Sequence, residues 1–207
     1  MGSTRPMTIE FTTVFTDSPV VEFEYPVDNL QPLFNDYRSW SPNLDLNGLG
    51  YDKLTKRLTK SSDVIPGSEW QTLVQSMKDT KLSLVNHMLN VDTKNRWPKI
   101  PLQISKQMVV YLFLVADLPE YRMEPHIDNR SVYAAGYLNV FDNDPVTVIS
   151  TQQRSLFGIK KPTEYYASGK KGTGTIWLNT DNSWHWVNKV NRDRRVVMIS
   201  FQIVPWN

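Results

Sequence analysis

The hydrophobic positions change their period about half way along the chain. Two runs at the start, Thr8–Phe15 and Val20–Tyr25, are β-branched and aromatic. In the second, Val21, Phe23 and Tyr25 alternate with Glu22 and Glu24, the two-residue period of a strand with one buried face. From Pro26 to Pro66 every run is interrupted by Pro, Asn, Asp or Gly, and only Asn29–Tyr37 offers a short helix. Ser68 then reads as an N-cap before Trp70, Leu73, Val74 and Met77, and Leu84, Val85 and Met88 continue that stripe, which predicts one or two helices over 68–90. Beyond Trp97-Pro98 the period returns to two. Met108–Ala116, Arg122–His126, Ser131–Val140, Val146–Ser150, Gly174–Leu178, Trp184–Val187 and Arg195–Val204 are strand-sized runs, separated by turn clusters such as Asp142–Pro145 and Ser168–Gly172. Short strands at this spacing predict a sandwich or barrel. With helices confined to the first half, the fold class is mainly β (α+β), an antiparallel double sheet buttressed by helices on one face. No repeat or Gly/Ser linker divides the chain. It reads as a single domain over 1–207, with a β core at 105–205 and supporting strands and helices at 1–104.

Composition narrows the chemistry. Lys and Arg number 23 against 21 Asp and Glu, a net charge of +2, which gives no support for polyanion binding, so nucleic acid is not an expected partner. The chain has no cysteine, which removes thiolate catalysis, disulfides, Fe–S clusters and Cys-type zinc sites. It has three histidines, so a metal site must be completed by carboxylates. No run approaches the ~18 apolar residues that span a bilayer, and the N-terminus has no apolar signal region. No membrane partner and an intracellular, cytoplasmic location are expected. The basic cluster Lys53, Lys56, Arg57 and Lys60 reads as a solvated face, and His87, beside the helical stripe, as a helix-surface or core-edge histidine.

The informative segment is Met123–Arg130. His126 and Asp128 stand two apart at the end of a strand-like run, so in extended backbone both side chains project to one side. His185 follows inside the aromatic run Trp184–Trp186, 57 residues after Asp128. Two histidines and one carboxylate are the ligand set of the facial triad of non-haem Fe(II) oxygenases, which leaves coordination positions open. Arg195 comes ten residues after His185 and opens the last β run, and a buried arginine there can form a bidentate pair with a carboxylate.

This ordered set resembles the 2-oxoglutarate/Fe(II)-dependent dioxygenases, in particular the prolyl hydroxylase-like and aspartyl/asparaginyl β-hydroxylase-like branches. Gly136–Asn139 is similar to the Tyr-Leu-Asn strand of the first branch, with Gly136 where a second tyrosine is usual. His185–Val187 with Arg195–Met198 resembles the distal half of the second. The resemblance covers residues 105–205 and implies a double-stranded β-helix. It implies His126, Asp128 and His185 as catalytic ligands of Fe(II), and Arg195 (or Arg194, since spacings of nine and ten both occur among relatives) with Tyr137 and Asn139 at the 2-oxoglutarate. The partners it implies are 2-oxoglutarate, O₂ and an unidentified substrate, a peptide side chain or small molecule hydroxylated at a C–H bond. Arg130 and Trp184 are candidates for contact with that substrate. Of Trp184 and Trp186, at least one is expected to pack in the core. The connection from Ser150 to Gly172, with Lys160-Lys161 and Lys170-Lys171, reads as loop charges and as a possible lid. The competing readings are a non-catalytic jelly-roll binding or structural module, and a cupin-like metalloprotein that does not use 2-oxoglutarate. A buried arginine opposite the metal separates the cupin-like reading from the 2-oxoglutarate-dependent dioxygenase.

Overall fold

The computed structural model describes residues 9–16, 18–42, 56–61, 65, 67–91, 107–129, 131–151, 154–155, 158–159, 162–180 and 183–203. Fourteen strands and one long helix are built from them. The strands are β1 (Thr12–Phe15), β2 (Val20–Glu24), β3 (Ser41–Pro42), β4 (Arg57–Ser61), β5 (Met108–Asp117), β6 (Met123–His126) and β7 (Val132–Asn139). They continue as β8 (Thr147–Thr151), β9 (Arg154–Ser155), β10 (Gly158–Ile159), β11 (Thr163–Tyr166), β12 (Thr173–Leu178), β13 (Trp184–Val187) and β14 (Arg194–Ile203). The helix is α1 (Ser68–Val91), a single element where the sequence left one or two open. The candidate helix at 29–37 forms as tight 3₁₀ turns over Asp28–Phe34 and Tyr37–Ser39, with Pro32 inside the first.

Two antiparallel sheets face one another. The large one has the order β1-β2-β12-β7-β14-β5-β4-β3 and the small one β11-β8-β13-β6; β9 and β10 form a separate ribbon. Its centre is the ten-residue pairing of β5 with β14, from Arg194 opposite Asp117 to Ile203 opposite Met108. Alternation along β14 divides two cores. Val197, Ile199 and Phe201 turn to one face and share a core with Leu112, Leu114 and the α1 residues Trp70, Leu73, Met77, Leu84 and Met88. Val196 and Met198 turn to the other face, towards Tyr137, Ile149 and Trp177 between the sheets. Helical spacing on α1 and strand spacing on β14 thus fill one apolar layer. No helix among the described residues is long and apolar enough to cross a membrane.

Several local expectations change. Ser68 does not cap α1 from outside; it is the first helical residue and its hydroxyl donates to Glu69 at 3.1 Å. Part of the 150–172 connection, Thr163–Tyr166, is an edge strand paired with β8 rather than a free lid. Lys171 pairs with Asp28 at 2.5 Å and Lys170 lies 3.6 Å from Glu24, while Lys160 and Lys161 lie outside the described residues. His87 contacts Thr13 Oγ1 at 2.9 Å at the edge of the core. Gly136 is required by a close backbone approach: a Cβ there would stand 2.2 Å from the Thr175 carbonyl oxygen on β12, so no tyrosine fits in that slot.

Candidate metal and co-substrate site

The antiparallel register of β6 and β13 sets His126 directly opposite His185. Cross-strand partners in such a pair bring their side chains together, and the two imidazole centroids are 4.3 Å apart. Asp128 follows β6 by two residues. Its Oδ1 lies 3.8 Å from His126 Nε2 and its Oδ2 3.5 Å from His185 Nε2. One ligand atom from each of the three falls within 4.8 Å of the others.

The ring nitrogens are oriented for this. His126 Nδ1 is 3.0 Å from the Glu124 carbonyl and His185 Nδ1 3.2 Å from the Ser183 carbonyl. A carbonyl only accepts, so each Nδ1 carries the proton and each Nε2 keeps its lone pair towards Asp128. Burial, then the neighbouring His185, pushes the pKa of His126 down, which favours the neutral ligand form. Burial raises the pKa of Asp128, but the flanking His185 and His126 outweigh it and hold the carboxyl below its usual value. Asp128 Oδ2 and the indole nitrogen of Trp177 are buried without a hydrogen-bond partner, and both residues line the same cavity. An anionic oxygen left unpaired between two imidazole lone pairs is costly in the protein alone. The donor set, N, N and carboxylate O, fits a divalent transition metal.

The cavity, about 140 Å³, lies between the sheets with Phe113, Met198, Val187 and Trp177 among its walls. The Trp177 and His185 rings lie tilted against each other, with centroids 4.8 Å apart. At another part of the wall is a buried ionic cluster. Arg57 Nε and Nη2 donate to Asp117 Oδ1 and Oδ2 at 2.6 and 3.0 Å. Arg194 Nη1 donates to Asp117 Oδ2 at 2.7 Å and its Nη2 to Thr147 Oγ1 at 3.0 Å. Arg194 is 3% exposed, Arg57 5% and Asp117 0%. Burial raises the pKa of Asp117, yet the two arginines outweigh it and hold the carboxyl below its usual value. The Arg194 guanidinium also lies over the Tyr137 ring, 4.7 Å from its centroid.

His126, Asp128 and His185 therefore converge, and Tyr137 lines their cavity. Of Arg194 and Arg195, it is Arg194 that lines the cavity. In the register of β14, Arg194 shares the inner face with Val196 and Met198, whereas Arg195 points to the opposite face and stacks on Phe141 at 3.6 Å. Asn139 does not reach the cavity; its amide donates to the carbonyls of Ser168 and Thr173, and its Oδ1 accepts from Asn143. Trp184 is half-buried and does not line the cavity, because strand alternation sends it away from the face that carries His185. Neither Trp184 nor Trp186 packs in the core clusters of the described residues; the Trp186 indole donates to Asn188 at 3.1 Å. Arg130 and Lys53 lie outside the described residues.

The sequence did not point to Arg57 and Thr147, which line the cavity, or to Asp117, which binds both arginines. Arg57 was hidden in a basic cluster read as solvated. The available signal was Asp117 itself, an acid closing a ten-residue apolar strand, where a buried carboxylate demands a cation.

No protein-family model matches the sequence, and no curated protein resembles it in sequence at a significant level. Solved structures do resemble the fold. A prolyl-4-hydroxylase from Pseudomonas putida superposes with a TM-score of 0.61 at 11% identity, over 90% of this chain and 93% of that one. A non-heme alpha ketoglutarate dependent carbocyclase from nogalamycin biosynthesis gives 0.57 at 9% identity, over 89% and 79%. A Trichoplax adhaerens prolyl hydroxylase, solved with a hypoxia inducible factor peptide fragment, gives 0.53 at 12% identity, over 84% and 76%. With two facing antiparallel sheets in this arrangement, the chain has the double-stranded β-helix fold of the 2OG-Fe(II) oxygenases.

Proposed function

We propose that the protein is a non-haem Fe(II)- and 2-oxoglutarate-dependent oxygenase that hydroxylates a C–H bond of a peptide side chain or small molecule. The observation that carries this reading is that one cavity is lined both by a His-Asp-His cluster, whose Asp128 Oδ2 has no hydrogen-bond partner, and by the buried Arg194. His126, Asp128 and His185 would hold the metal through two neutral nitrogens and one carboxylate. Iron in such a site supplies activation of O₂, one oxygen atom entering succinate as 2-oxoglutarate loses CO₂ and the other entering the substrate. Arg194 receives the far carboxylate of 2-oxoglutarate, with the hydroxyls of Thr147 and Tyr137 on the same wall. Asp117 and Thr147 hold its guanidinium before the ligand arrives, so little side-chain entropy remains to be lost on binding. Phe113, Met198, Val187 and Trp177 keep the space between the two ends apolar and exclude water. A non-catalytic jelly roll has no use for an unpaired buried carboxylate oxygen between two imidazoles.

The test is an anaerobic titration of the protein with Fe(II) and then 2-oxoglutarate. The weak visible charge-transfer band of the chelate should appear with the wild-type chain and be absent from Asp128→Ala. No band with the wild type, together with no 2-oxoglutarate consumption in air, rejects the assignment.

A further inference from the structure

Arg57 has no part in holding the metal or the far carboxylate, yet it is buried at the cavity wall. Arg194 alone is enough to meet a carboxylate, yet it is already paired with Asp117 at 2.7 Å. An arginine neutralised by an acid is a poor anion site, since the acid repels the incoming carboxylate. Arg57 changes that balance. It grips both oxygens of Asp117, comes from a different strand, and itself lines the cavity. The three buried side chains carry two positive charges and one negative, a surplus of +1 in and behind the cavity wall. The Arg57 guanidinium also lies over the Tyr121 ring, 4.4 Å from its centroid, which favours its buried position.

We propose that Arg57 and Asp117 are positioning residues that set the charge of the inner cavity. Asp117 orients Arg194, and Arg57 cancels the charge of Asp117, so that the wall selects a 2-oxo acid with a second carboxylate. This rests on the oxygenase reading above and extends it to co-substrate selectivity. A purely structural Arg57 would tie β4 to β5, beside their Arg57–Asp117 register pair, and leave ligand choice unchanged.

The test is calorimetric titration of the full chain, loaded with Mn(II), with 2-oxoglutarate and with 2-oxopentanoate, which has the same chelating end and a methyl group at the other. The wild type should bind 2-oxoglutarate more tightly. Arg57→Met should weaken 2-oxoglutarate by roughly 30- to 100-fold, as expected for one unit charge lost beside a buried ligand at an effective dielectric of about 20. Binding of 2-oxopentanoate should change by less than about 3-fold, because it presents no charge to that wall. The double variant R57M/D117N restores the +1 surplus and should recover 2-oxoglutarate binding to within about 5-fold of wild type. Arg57→Gln keeps an amide donor for Asp117 and replaces Arg57→Met if that variant does not fold, with thermal melts as the control. Unchanged 2-oxoglutarate affinity in a folded Arg57 variant, or no recovery in the double variant, overturns the proposal. A wild type that binds Mn(II) but gives no heat with 2-oxoglutarate overturns the oxygenase reading itself.

Discussion

Replacing Arg194 with methionine removes a guanidinium while keeping a side chain of similar reach. In the folded chain that guanidinium makes two short contacts, to Asp117 at 2.7 Å and to Thr147 at 3.0 Å, and is 3% exposed. Asp117 keeps its two-pronged contact with Arg57, so the acid is not orphaned. The stability loss should therefore stay below the ~3–5 kcal/mol typical of a broken buried pair. Ligand binding has no such reserve. Truncating one partner of a buried, hydrogen-bonded charge pair costs about 2–5 kcal/mol, so the 2-oxoglutarate Kd should rise by about 30-fold to several thousand-fold. Metal affinity should be nearly unchanged. Arg195→Met is the matched control: it loses the stacking on Phe141, about 0.5–2 kcal/mol of stability, and leaves 2-oxoglutarate binding alone. The assay is calorimetric titration of both variants with 2-oxoglutarate in the presence of Mn(II), beside metal titration and thermal melts. Weakened 2-oxoglutarate binding in Arg195→Met with none in Arg194→Met would refute the inward face assigned to β14.

Three other outcomes are expected. Asp128→Ala removes the one carboxylate of the candidate His-Asp-His cluster found among the described residues and should lower Fe(II) or Mn(II) affinity by at least about 10-fold, read by metal titration. Gly136→Ala sets a Cβ 2.2 Å from a backbone oxygen and should destabilise by about 1–3 kcal/mol, seen as a lower midpoint in denaturant. The folded-state pKa of Asp117 is depressed, so its stabilising contribution is complete above the unfolded value of about 3.9 and is lost as pH falls through the lower folded value. Denaturant melts of wild type between pH 7 and pH 3 should therefore show an acid limb that Asp117→Asn flattens; equal slopes in both would remove Asp117 from the acid transition.

The core strands were legible because each buries one or both faces and so carries its own period in the sequence. Met108–Ala116 and Ser131–Val140 differ from β5 and β7 by no more than a residue or so at each end. Strands without such a signature were missed. Arg57–Ser61 has two cationic side chains and two hydroxyls, and joins the sheet by pairing with β5 rather than by propensity. Thr163–Tyr166 is a mostly exposed edge strand that pairs with β8. The Trp184–Trp186 pair misled for a related reason: with His185 turned inward, alternation forces both indoles to the outer face of the small sheet.

By itself the sequence determined the change from helical to strand period, the scarcity of ligands that left His126, Asp128 and His185 as the metal candidates, and a pair of arginines at the start of the last strand. Those are local facts of spacing and composition. Tertiary structure decided the rest. Which arginine faces inward depends on a one-residue phase in β14, fixed by Asp117 on β5 and the apolar layer over α1. Whether Arg57 is a surface charge or part of the cavity wall depends on a partner 60 residues away. The energy of a buried charge belongs to the groups that surround it, and no window of sequence contains them.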